Sequence, residues 1–255
     1  EFENIIGIFP DDPGVYRAFA DFLAQKKDSD AAADAYRKAS MLFVDLGMLL
    51  QAMVSKILEW RIAQPSHKEG RAFHAALCGA DFQESPVQRF IVRMNYPEII
   101  AFMASLVRLR IAAGTTVKRF GDKENEICFV VSGALRQTVY EALPEEKRGK
   151  EETSADLVEN DFFWDVYPFE NDVLSNTEVE AITRVELVKI SKDRIKAICE
   201  KYHHVESLLK GLYGARSERT EEEQATRVRT TTRHQMPTKV TAKIFPEDVD
   251  QKPLV

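Results

Sequence analysis

The chain has 255 residues, enough for one to two domains with a sizeable core. Apolar residues make up 44% and charged residues 30%, and 35 Lys+Arg against 41 Asp+Glu give a net charge of −6. This is the balance of a soluble globular protein: it argues against non-specific nucleic-acid binding, and no apolar run is long enough to span a membrane. Cys78, Cys128 and Cys199 are far apart and sit among apolar neighbours. They exclude a disulfide framework and a Cys-rich zinc site, and fit reduced thiols in a cytoplasmic protein. The chain opens Glu1-Phe2 without Met or a signal-peptide pattern, and stops at Val255 just after a strand-like run. It is therefore expected to be a fragment of a longer protein.

Residues 10–79 show helical periodicity only. Asp11-Asp12-Pro13 starts a helix, with a carboxylate cap followed by Pro in the first turn. Asp28-Ser29-Asp30 caps a second helix that runs to Gly47. A third covers 47–63 and is stopped by Pro65; a shorter fourth spans about 69–78 and ends at Gly79. The second and third helices resemble a tetratricopeptide hairpin through Tyr36, Ala39, Phe43, Gly47, Ala52 and the nearby Pro65. Lys56 and Glu59 depart from that pattern, which prefers apolar residues there. One or two such repeats are too few for a peptide-binding superhelix, so residues 1–80 are expected to be a helical packing or docking module.

From about 106 the period becomes that of strands. Leu106–Ile111, Thr115–Phe120, Ile127–Val131, Leu135–Tyr140, Thr177–Thr183 and Val185–Ile190 are short runs separated by turn residues. Tyr96–Met103 is a helix before them, with Asn95 as its cap, and further helices start at Ser191 and near His203. Glu141–Asn160 is long and highly charged and reads as a solvated loop. The fold class is α+β: N-terminal helical hairpins, an antiparallel β-roll with flanking helices, and a basic tail with a single strand.

Gly114, Gly121-Asp122 and the run Ile127–Val131 closed by Ser132-Gly133 resemble the cyclic-nucleotide-binding domain family. A related jelly roll or cupin is the alternative. The resemblance covers about 90–213, so the expected domains are 1–80, 81–213 and 214–255. It implies a cassette where a glycine admits the ligand, a glutamate takes the ribose hydroxyl and an arginine pairs with the cyclic phosphate. Here Phe163 fits the cassette, but Trp164 stands at the glycine, Asp165 at the glutamate and Ser175 at the arginine. Pro168 removes one amide donor. No arginine lies between Gly149 and Ala181, while Asp161, Asp165, Glu170, Asp172, Glu178 and Glu180 crowd the stretch. The pocket is expected to be degenerate, without cyclic AMP or cyclic GMP, and filled by Phe162, Phe163, Trp164, Tyr167 and Phe169. A surviving site would need Arg136 or another basic group for the phosphate. Val205, Leu208, Leu209 and Leu212 form an apolar stripe that could build a homodimer or pack on the roll.

The tail is basic. Arg229-Thr-Thr-Thr-Arg233, followed by the alternating run Thr238–Phe245, resembles the opening of a PilZ domain. That resemblance implies that Arg229 and Arg233 clamp cyclic di-GMP in the full-length protein. The family's second motif is missing, because the chain ends first. No nucleophile–base set, phosphate loop or metal-ligand spacing is present, and the adjacent His203-His204 pair cannot share a helical face. The expectation is a non-enzymatic bacterial signalling protein without a cofactor, whose helical module or roll docks on a protein partner.

Overall fold

The computed structural model describes residues 2–142, 150–163, 166–169 and 174–216. Seven helices come first: α1 (Phe2–Ile8), α2 (Pro13–Gln25), α3 (Ser29–Asp45), α4 (Leu49–Ile62), α5 (His67–Gly79), α6 (Pro86–Arg93) and α7 (Tyr96–Ser105). The capping signals account for the starts. The Asp12 carboxylate accepts from the Gly14 and Val15 amides. Ser66 and Glu69 form a reciprocal capping box on α5, and on α7 the Glu98 carboxylate accepts from the Asn95 backbone N–H at 2.7 Å and from its Nδ2 at 3.2 Å. The periodicity reading missed α1 and α6, both short at seven and eight residues.

α3 and α4 form an antiparallel hairpin. Ala39 and Ala52 are fully buried between them, and the Ser40 hydroxyl donates to the Ala52 carbonyl at 3.0 Å. Gly47 turns the chain with φ +69°, and any Cβ there would strike the backbone of Asp81 and Phe82. Lys56 and Glu59 explain themselves: their side chains are buried and ion-paired at 2.6 Å, and Arg37 reaches Glu59 at 2.9 Å. The Lys56 ammonium also lies 5.2 Å from the centre of the Phe73 ring.

Eight strands follow: β1 (Val107–Ile111), β2 (Thr116–Lys118), β3 (Glu126–Ser132), β4 (Leu135–Ala142), β5 (Lys150–Leu157), β6 (Phe162–Phe163), β7 (Thr177–Ala181) and β8 (Val185–Ser191). They build two four-stranded sheets, β1-β8-β3-β6 and β2-β7-β4-β5, with every pairing antiparallel. α8 (Lys192–Lys201) and α9 (203–216) close the described chain. β5 corrects the loop reading of Glu141–Asn160. Residues 150–157 pair with β4 in continuous register, Leu157 opposite Leu135 and Asp156 opposite Arg136. The strand lies at the edge of its sheet, where polar residues serve as well as apolar ones and discourage further pairing.

β3 explains its own sequence. Cys128 and Val130 point into the roll, where they meet Leu135, Phe163, Val179, Ala181, Val185 and Leu187. Ile127, Phe129 and Val131 point the other way, into a core shared with α4, α6, α7, α8 and α9. A strand covered on both faces needs an unbroken apolar run rather than alternation. Each fully buried side chain of this kind contributes about 1.5–3 kcal/mol. The stripe on α9 joins the same core: Val205, Leu209 and Leu212 are buried there and Leu208 packs beside them. Of the two uses open to that stripe, the structure shows packing within the chain.

The same core spans the proposed division at residue 80. Residues Glu1–Gly214 form one compact unit, and Ala215–Val255 a second. The helices and the roll are not separate domains, because the outer faces of β3 and β8 are covered by the helices.

Candidate functional site

The cassette begins on β6. Phe162 and Phe163 are neighbours on a strand, so their side chains leave on opposite faces. Phe163 is fully buried inside the roll. Phe162 faces the helices, with its ring 6.2 Å from Phe129 and 5.4 Å from Tyr213 of α9. Tyr167 stacks on Tyr213 at 6.0 Å and meets Phe169 edge-on at 5.4 Å. The aromatic run therefore divides. Phe163 occupies the roll interior, while Phe162, Tyr167 and Phe169 hold α9 against the cassette. Trp164 and Asp165 lie outside the described residues, as do Arg229 and Arg233.

Ser175, which the resemblance sets at the position of the phosphate-binding arginine, is buried and occupied by local hydrogen bonds. Its hydroxyl contacts the Thr177 hydroxyl at 3.0 Å and receives the Thr177 amide at 3.0 Å. Its backbone pairs with the Gly121-Asp122 corner: Ser175 N–H donates to the Asp122 carbonyl and Gly121 N–H to the Ser175 carbonyl, both at 2.8 Å. This arrangement fixes the corner and directs no charge into the roll. Arg136 lies on the outer face of β4, more than half exposed, with its guanidinium 3.3 Å from Asp156 on β5. Its neighbours Leu135 and Gln137 are the ones that turn inward. Arg136 is thus on the wrong face to meet a nucleotide in the roll.

Among the described residues, the buried basic group of the roll is Lys118, which the sequence reading overlooked. Lys118 is 1% exposed, stands opposite Val179 on β7, and is ion-paired with the buried Glu124. Gln137 also stands opposite Val179, from the β4 side, so Lys118, Val179 and Gln137 form one inward row across the sheet. Strict alternation would put Lys118 on the side away from Val117, which packs against the roll interior. A register irregularity between Thr116 and Lys118 shifts that phase and brings both inward. Nothing in the local sequence announces such a bulge.

A second charged cluster joins α2 and α3 to the roll. Arg108 and Arg110 on β1 both reach Asp21 on α2. Arg108 and Arg17 both reach Glu186 on β8, the latter at 2.8 Å. The Tyr36 hydroxyl donates to Asp21 at 2.6 Å. Burial alone would raise the Asp21 pKa, but the hydrogen bonds from Arg108 and Tyr36 outweigh it and hold the carboxyl below its ordinary range. Among the described residues no cluster of His, Cys, Asp or Glu could hold a metal ion, and no helix is long and apolar enough to cross a membrane. The cysteines are free thiols, and burial pushes Cys199 up to about 12.

Residues 108–202 match the family model of the cyclic nucleotide-binding domain. No curated protein matches the sequence. The chain is similar to the catabolite activator protein of Thermus thermophilus, at 17% identity and TM-score 0.45, over 56% of this chain and 62% of that one. It is similar to a cyclic nucleotide-binding domain from Methylobacillus flagellatus, at 8% identity and TM-score 0.46, over 54% and 74%. It is also similar to the c-di-GMP-responsive global regulator CLP of Xanthomonas campestris, at 18% identity and TM-score 0.42, over 60% and 77%. The chain thus spans about three-fifths of the Thermus protein. Two antiparallel four-stranded sheets and the family match together identify residues 108–202 as a cyclic-nucleotide-binding-like β-roll.

Proposed function

We propose that this chain is a non-catalytic signalling module in which the roll no longer senses cyclic AMP or cyclic GMP and serves in docking and relay. The observation that carries this reading is Ser175. At the place of the phosphate-binding arginine stands a short side chain whose hydrogen bonds close on its own loop. A cyclic phosphate would lose its main charge-assisted pair there, each such pair being worth roughly 1.5–3 kcal/mol. The acidic residues of the cassette add to the penalty.

The signal in this reading is cyclic di-GMP, taken by Arg229 and Arg233 in a longer protein that completes the PilZ domain. The α3–α4 hairpin, tetratricopeptide-like in its small and aromatic residues, is the surface for a protein partner. Isothermal titration of the chain with cyclic AMP and cyclic GMP is expected to show no binding in the micromolar range. A dissociation constant near 1 μM for either would overturn the proposal. Cyclic di-GMP should bind the completed protein, and Arg229→Ala with Arg233→Ala should abolish that binding.

Lys118 favours a second reading. An anionic ligand entering the roll could draw the ammonium away from Glu124, giving a cyclic-nucleotide sensor with unusual contacts. Thermal stabilisation by cyclic AMP that disappears in Lys118→Met would select it.

A further inference from the structure

A cavity of about 670 Å³ opens between the front helices and the roll. It is bounded by the α1–α2 connection, the α3–α4 turn, Ser132 at the end of β3 and Glu159 beyond β5. Its size suits a small organic ligand, and none of its lining residues belongs to the cassette, which starts just beyond Glu159.

Its walls are of two kinds. Phe9, Phe43, Leu46 and Met48 supply apolar surface, and Phe9 and Leu46 at the rim are more than half exposed. Two of the lining residues carry buried polar atoms without partners. Gln51 on α4 is 1% exposed, yet neither its Nε2 nor its Oε1 has a hydrogen-bond partner. Arg17 spends one nitrogen on Glu186 and lies 5.1 Å from the centre of the Phe43 ring, while its buried Nη1 has no partner. Buried polar groups are nearly always satisfied, so orphaned groups gathered around one cavity indicate what should fill it.

Complementarity specifies the occupant. A carboxamide with both ends free calls for a donor and an acceptor side by side, and the Arg17 Nη1 calls for a second acceptor. The charge balance argues for a neutral molecule. Among the described residues, Arg17 is the only cationic one lining the cavity and is already paired with Glu186, while Asp11, Asp12 and Glu159 line it with carboxylates, which disfavours an anion; the acceptor that the Arg17 Nη1 calls for disfavours a cation. Loss of water at its half-buried site holds Glu159 above its ordinary range, against the pull of Arg17. We infer that this cavity is a binding site for a small, neutral, planar ring carrying an amide edge, with a carbonyl beside an N–H. The edge would lie on Gln51 and Arg17 and the ring against Phe43 and Phe9. The inference is independent of any ligand for the roll or the tail.

Nicotinamide and uracil are the probes, with nicotinate as the anionic control, followed by ligand-observed NMR and titration on the intact chain. Both amides should bind with dissociation constants of about 1 mM or tighter, and nicotinate at least tenfold more weakly. Gln51→Leu should abolish amide binding and, by removing two unsatisfied atoms, raise the thermal midpoint by about 2–4 °C. Phe9→Ala, at the exposed rim, should weaken binding several-fold without moving the midpoint. Failure of both amides to bind, preference for nicotinate, or unchanged binding in Gln51→Leu would each overturn the assignment.

Discussion

Lys118 and Glu124 place a charge pair in the roll where most of the surrounding side chains are apolar. Such a pair contributes little over an apolar replacement, but removing one partner strands the other. Lys118→Met should therefore destabilise the protein by about 3–5 kcal/mol in urea unfolding. The double variant Lys118→Met/Glu124→Leu should recover most of that loss. An equal loss in the double variant would show that the pair fixes the conformation of the roll. Residue-scale legibility was uneven. The absence of any arginine between Gly149 and Ala181 is legible, because a missing charge is visible in a string. The sequence did not show that Lys118 turns inward, because one register shift in β2 decides that. It also promoted Arg136, whose face is set by strand phase: it leaves on the side opposite Leu135 and Gln137.

Among the elements, the turn from β3 to β4 depends on Gly133. Its φ is +90°, and an added Cβ would sit 2.5 Å from the Arg184 carbonyl and 3.0 Å from the Thr183 hydroxyl. That hydroxyl accepts the next amide, from Ala134, at 3.0 Å. Gly133→Ala should cost about 1–3 kcal/mol, measured by chemical unfolding. A neutral result would mean that the β7–β8 turn can retreat. Gly47→Ala is the parallel case in the α3–α4 turn, with backbone again in the way. Helices with side-chain caps and strands with apolar runs were legible because both signals are local. β5 was not: an edge strand rich in charge has the composition of a loop, and only its continuous pairing with β4 distinguishes the two.

At the scale of the molecule, the front helices and the roll are joined by shared apolar packing and by the Asp21–Arg108–Glu186 cluster. The cluster has a pH signature. The Asp21 pKa is lowered in the folded state, so its contribution is complete above the unfolded value of about 3.9 and is lost as pH falls through the folded one. Glu98 behaves alike: burial opposes ionisation, but His204 and Asn95 prevail. Glu159 works in the opposite sense, since its raised pKa relieves strain on acidification. Urea midpoints measured between about pH 5 and pH 2 should fall more steeply for the parent than for Asp21→Asn. Parallel curves would remove Asp21 from the account. The split at residue 80 was the large misreading, and its cause is physical. A change of periodicity marks where helices give way to strands, but it carries no information about whether the two bury each other. β3 settles that question, and it constrains how this protein could have been assembled. A β-roll that stands alone can be inserted, duplicated or exchanged as a cassette of sequence. This one cannot be transplanted, because Ile127, Phe129 and Val131 would arrive in the new host as an open wound of hydrocarbon. Expressed by itself, 106–202 should aggregate, whereas 1–216 should remain monodisperse on size-exclusion chromatography. The roll and the helices are thereby bound to fold as one, and a substitution on the outer face of β3 is felt by both.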